Sequence, residues 1–302
     1  MRDILLLAPV VFALIAPAVT GAQSAGKTYD PVTMDQVVRD TLNPPSKEEL
    51  SFTSGSARLN GFMYVAQGVG PHPTVILLHG YPGIERNLDL AQAIRRAGVN
   101  VLFFDYRGSW GSGGTFSFSN AQEDVASAIR YVRSPEAVRR LRIDPSRVAL
   151  IGHSMGGWLA FLGAAVDPSI VCVGGIEAAD MTHIGGLLKP SLKADSAFVV
   201  YANSLTAPGG PLRASSDSLI ASLKANAVEW TLPHHAAELS QRTMLLLDNA
   251  HNAPHESFVT ALRQAGARHL TEDVWKTDHN FSDRRIELAH AVIGWLHSAC
   301  GY

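Results

Sequence analysis

Charge is scarce in this 302-residue chain: Lys, Arg, Asp and Glu together make up 17% of it, and the formal net charge is −2. That balance attracts neither nucleic acid nor an anionic membrane surface, and neither is expected as a partner. Cysteine is scarcer still, with Cys172 and Cys300 the two present. So few cysteines make no disulfide framework. A bridge between them is allowed in an oxidising compartment, but Cys172 lies in an apolar run and two unpaired thiols are expected. Internal repeats and low-complexity segments are lacking, which leaves one large domain or two small ones. Also lacking is an uninterrupted apolar run of the roughly 20 residues that a membrane-spanning helix needs.

What is present begins with an export signature. Arg2 precedes an apolar run, Ile4–Ile15, and then small residues, Ala16-Pro17-Ala18 and Thr20-Gly21-Ala22. This order predicts a signal peptide over 1–22 and a secreted or periplasmic protein. No cysteine lies near the cleavage region, so no lipid anchor is expected. An N-terminal extension over 23–49 would follow, with a possible short helix at Thr33–Arg39, and then the main domain over 50–302. Hydrophobic residues at 46% suffice for a buried core there.

Short apolar strands then alternate with amphipathic helices. Strands are predicted at Leu50–Thr53, Gly61–Ala66, Thr74–Leu78, Val99–Asp105, Val148–Ile151, Ile170–Ile176, Met244–Leu247 and Leu270–Trp275. Helices are predicted at Asn87–Ala97, Glu123–Val132, Met155–Val166, Pro254–Ala265 and Ile286–His297. This is the pattern of a mostly parallel sheet with helices on both faces. Residues 181–240 break the rhythm. A structureless loop so long is unusual, so a helical, lid-like insertion is expected.

The chain is organised around Gly152-His153-Ser154-Met155-Gly156. A G-x-S-x-G is weak evidence alone. Between a buried strand and a buried helix it reads as a nucleophile elbow, with Ser154 on a strained turn and glycines that let strand and helix approach. A serine nucleophile needs a base and an orienting acid. In the order nucleophile, acid, histidine, the base is His279 and the acid Asp248, at the end of its strand. Asp180 is a second candidate. Asp278 is a poor one, since neighbouring side chains in an extended segment diverge. Two N–H donors are needed for the oxyanion. Met155 should give one, and Tyr81 in His79-Gly80-Tyr81-Pro82-Gly83 the other. No metal site is expected. His251 and His255 flank the expected helix start, and Glu256 does not complete an H-E-x-x-H.

These motifs, with Asp105-Tyr-Arg-Gly-Ser-Trp-Gly-Ser112 and Asp278-His279, resemble the α/β-hydrolase fold. They are similar to exported serine hydrolases related to the prolyl oligopeptidase catalytic domain and to dienelactone-type hydrolases. The resemblance implies a Ser154–Asp248–His279 triad, no cofactor, and a small-molecule acyl substrate. Relatives of this kind place the acid just before a proline-led helix, which here falls near His251 or Asn252, so Asp248 would act from an earlier position. Ester hydrolysis is the leading expectation. A peptidase and a non-catalytic binding protein on the same fold are the alternatives.

The export reading predicts a mature chain starting near Val19 or Gln23. Intact-mass measurement on protein from a native-like host checks this, and soluble product retaining residues 1–18 would refute it.

Overall fold

The computed structural model describes residues 29–183, 197–250 and 255–302. The predicted signal peptide, the expected helix start at Pro254 and His251 lie outside them. Eight strands form one sheet in the order β1-β2-β4-β3-β5-β6-β7-β8. They are β1 (Ser46–Ser54), β2 (Ala57–Val65), β3 (His72–Leu78), β4 (Asn100–Phe104), β5 (Ile143–His153), β6 (Cys172–Ile176), β7 (Thr243–Asn249) and β8 (Leu270–Trp275). β1 and β2 pair antiparallel, as do β2 and β4; every other pairing is parallel.

The inner stretches of the central strands, Val75–Leu78, Val101–Phe104 and Val148–Ile151, are apolar because both their faces are covered. Ile76, Leu78, Val148 and Leu150 join one core layer. Their neighbours Val75, Leu77, Ala149 and Ile151 join the opposite one. Helices α2 (Phe118–Val132) and α4 (Met155–Val166) cover the first face; α1 (Leu88–Arg96) and the C-terminal helix Arg285–Ser298 cover the second.

The edge of the sheet departs from expectation. β1 and β2 are longer than predicted, the turn falls at Gly55-Ser56, and Asn60-Gly61 sits inside β2. Polar residues alternate with apolar ones on these outer strands, so a search for apolar runs shortens them. Thr33–Arg39 forms turns and bends, not a helix. Asp30 accepts the Val32 N–H at 3.0 Å and Asp40 the Leu42 N–H at 2.9 Å, local bonds that compete with helical ones. A short helix, α3 (Pro135–Leu141), capped by Ser134, adds to the predicted set.

Between β6 and β7 the described part of the insertion is helical, as expected, with α5 (Ala197–Thr206) and α6 (Ser216–Ala225). Leu219, Leu223 and Trp230 are buried in the core, and Trp158 of α4 donates its indole N–H to the Trp230 carbonyl at 2.8 Å. Backbone bonds from Phe116 to Arg213 and from Arg213 to Gly108 tie the insertion to the loop after β4.

The expectation of two unpaired thiols is corrected. Cys172 and Cys300 form a disulfide with Cα atoms 6.1 Å apart. The C-terminal helix lies across the second face and returns Cys300 to the start of β6, an adjacency that sequence separation conceals. A bridge closing so long a loop constrains the unfolded chain by roughly 2–4 kcal/mol. Cys300→Ser should therefore lower the stability read from urea unfolding by about that amount. Alkylation of the denatured, unreduced protein should find no thiol; two alkyl groups per chain would refute the bridge.

Candidate active site

β5 ends at His153 and α4 begins at Met155, leaving Ser154 to make the turn alone. Its φ of 56° and ψ of −125° are strained for a residue with a side chain, and backbone packing enforces them. A side chain at Gly152 would land 2.0 Å from the Gly156 carbonyl oxygen, and one at Gly156 would land 2.1 Å from that of Leu78. The Ser154 N–H donates to Ile176 O at 3.0 Å, and Ser154 O accepts from Ala179 N–H at 3.0 Å. The turn is thereby locked to the end of β6.

Ser154 and His279 line one cavity of about 290 Å³ with Gly80, Tyr81, Pro82, His153, Tyr201 and Asn280. The structure thus brings together the expected nucleophile, base and oxyanion loop. A methyl group at Gly80 would come 3.0 Å from Ser154 Cβ and 3.5 Å from Oγ, so that loop touches the serine. Met155 is the first residue of α4, where a helix leaves its N–H groups without intrahelical partners. The His279 side chain is 47% exposed. Its loop is shaped by Asp278, which accepts the Asn280 and Ser282 N–H groups at 3.1 and 2.8 Å.

The acid is where structure and expectation part. Asp248 Oδ2 pairs with His255 Nδ1 at 2.7 Å, in a buried couple separate from His279. Burial works to lower the His255 pKa, but the hydrogen bond and charge of Asp248 outweigh it and hold the pKa above its ordinary value. Asp180 is also engaged locally, accepting from Thr182 N–H at 2.9 Å and the Thr231 hydroxyl at 3.1 Å.

The carboxylate beside His279 is that of Glu177, with Oε1 3.8 Å from Nδ1. That is longer than a hydrogen bond, as in many unliganded sites that tighten on substrate. Glu177 directly follows β6, takes a φ of 45° and is 2% exposed. β7 holds it at two points: its N–H donates to Leu247 O at 2.7 Å, and its Oε2 accepts the Asn249 N–H at 2.6 Å. Glu177 satisfies the order nucleophile, acid, histidine, and is passed over because the acid is sought at the end of the Met244–Leu247 strand. The signal that finds it is a carboxylate at the carboxyl end of the strand next to the elbow strand.

Residues 75–295 match the sequence profile of the alpha/beta hydrolase family. The chain belongs to that family. Among relatives, an uncharacterized 31.7 kDa protein from the traX-finO intergenic region of Escherichia coli is 37% identical over 36% of this chain and 38% of its own length. Uncharacterized protein YfhR of Salmonella typhimurium is 32% identical over 60% of this chain and 61% of its own. Both matches span less than two thirds of the relative. Est1E from Butyrivibrio proteoclasticus, solved with ferulic acid bound, superimposes with a TM-score of 0.64 at 16% identity, covering 84% of this α/β hydrolase and 100% of Est1E. The Pyrococcus horikoshii acylaminoacyl peptidase gives a TM-score of 0.59 at 15% identity, covering 85% and 42%. At these identities the likeness is one of fold.

His153 fixes the histidine loop of this α/β hydrolase from below. Its Nε2–H donates to the His279 carbonyl at 2.8 Å, and the rings lie 4.8 Å apart. Burial is the main cause that lowers its pKa to about 4. Between pH 6.5 and 4 the unfolded ring then binds a proton that the folded one does not, so stability falls as pH falls through that window. From pH 7 to 5 the wild type should lose on the order of 2 kcal/mol more than His153→Gln. Parallel urea melts at the two pH values read this, and equal losses would refute it.

Proposed function

We propose that this α/β hydrolase is an exported serine esterase that works through an acyl-enzyme, with Ser154 as nucleophile, His279 as base and Glu177 as orienting acid. The observation that carries the reading is the single cavity lined by Ser154 and His279, with Glu177 against the histidine's far nitrogen. His279 Nδ1 faces Glu177, which leaves Nε2 for the serine. Nε2 takes the Oγ proton as Oγ attacks the acyl carbonyl. The oxyanion is met by the N–H groups of Tyr81 and Met155, and the imidazolium by the buried Glu177 carboxylate. His279 then protonates the departing alcohol, and a water repeats the sequence to release the acid.

Export is supported by the residues 1–22 pattern together with the Cys172–Cys300 bridge, since disulfides persist in oxidising compartments. Against the non-catalytic alternative, a buried carboxylate, that of Glu177, stands beside His279.

A fluorophosphonate should label Ser154 and abolish turnover of p-nitrophenyl esters, with slower or no cleavage of aminoacyl amides. Faster amide cleavage would make the protein a peptidase; an unlabelled Ser154 would overturn the mechanism. Ser154→Ala and His279→Ala should each remove nearly all activity. Glu177→Gln should lower kcat by up to about 10⁴, the cost of losing the acid in a worked triad. Asp248→Asn should cost less than about tenfold, because its partner is His255. The reverse ranking of the two carboxylates would return the acid to Asp248.

A further inference from the structure

The Asp105–Ser112 loop and His79 have no part in the proton transfers, yet they stand directly behind the oxyanion loop. His79 is 2% exposed, and its Nδ1 lies 2.7 Å from the carbonyl oxygen of the next residue, Gly80. A carbonyl can only accept, so Nδ1 carries the proton. Burial, aided by the Arg86 charge, brings the His79 pKa to about 4, so the ring is neutral at neutral pH and holds one proton to place.

That carbonyl belongs to the same peptide unit as the Tyr81 N–H. The Gly80–Tyr81 bond is not among the cis peptides, and in a planar trans unit C=O and N–H point in opposite directions. The ring holds the carbonyl on the buried side. The N–H is thereby directed to the opposite side, where Gly80 touches Ser154 and Tyr81 lines the cavity.

The loop after β4 braces this arrangement. The Tyr106 hydroxyl donates to the His79 carbonyl at 3.1 Å, and the Trp110 indole N–H donates to the Pro82 carbonyl at 2.7 Å. Asp105 Oδ1 stands 3.8 Å from His79 Nε2 and 3.2 Å from Arg86 Nη2. Gly83 is required to be bare, since a side chain there would fall 2.4 Å from His79 Nδ1.

We infer that His79 is a positioning residue for the oxyanion hole, its Nδ1–H locking the Gly80–Tyr81 peptide so that the Tyr81 N–H faces the developing oxyanion. The inference rests on the esterase reading above. It assigns the Asp105–Ser112 loop a purpose, which is to hold the oxyanion loop from behind.

Two polar variants test it without emptying the site. An asparagine side chain can place its amide nitrogen near the position of Nδ1, and a glutamine near that of Nε2. On p-nitrophenyl acetate, His79→Gln should lower kcat on the order of 10- to 100-fold, short of the roughly 10²–10³ for deleting an oxyanion donor outright. KM should change little, because the interaction is made in the transition state. His79→Asn should keep most of the wild-type kcat. A trifluoromethyl ketone, which forms a tetrahedral oxyanion on Ser154, should lose affinity for His79→Gln by the same factor as kcat/KM. Melting temperatures of both variants separate misfolding from misplacement, and loss of folding in both with no difference in kcat per folded molecule would count against the inference. Equal kcat for the two variants, or a loss carried wholly by KM, would overturn it while leaving the esterase reading intact. A wild type that neither labels at Ser154 nor turns over would overturn both.

Discussion

A serine held at positive φ between a strand and a helix survives only because the surrounding backbone leaves no alternative. The Gly156 site packs against the Leu78 carbonyl, and the Gly152 site against Gly156 itself, so the crossing of β3, β5 and α4 is as close as backbones can come. Strain of this kind costs on the order of 1–3 kcal/mol and must be imposed by its surroundings. Here the imposing elements are buried on both sides, with Trp158, Leu159 and Phe161 of α4 in the core. The same contacts bring the end of β3 against the serine. Nucleophile and oxyanion loop are therefore set by one packing event.

Much of this was legible in the sequence, because the central elements are continuous in character. α4 over Met155–Val166 matches its predicted bounds because it is uniformly apolar and without proline; β8, an exposed edge strand over Leu270–Trp275, matches because turn residues frame it. The helical insertion was legible from length alone. What was hidden is of two kinds. Local hydrogen bonds from Asp30 and Asp40 override a weak helical pattern, and α3 is too short to show periodicity although Ser134-Pro135 marks its start. The other kind is adjacency across the fold. The Cys172–Cys300 bridge and the Glu177–His279 approach both join residues more than a hundred positions apart, and composition carries no trace of either.

Three of the acidic groups near the site show how neighbours sort like residues into unlike roles. Asp248 spends its charge on a buried histidine, and Asp180 on two threonines. Glu177 meets a backbone N–H on one oxygen and the catalytic histidine candidate on the other. A carboxylate can orient an imidazole well only when its own rotation is stopped, and the Asn249 N–H supplies that stop. β7 thus acts on the site through main-chain atoms, which any residue other than proline at 249 provides.

The proposed place of the acid, after β6, has an evolutionary side. Once the histidine is oriented from Glu177, the connection after β7 is released from selection for a carboxylate at a fixed spacing. It becomes a stretch in which length and side chains can drift without loss of the reaction. An alignment of related chains would then show the glutamate at the end of β6 kept while the stretch after β7 varies.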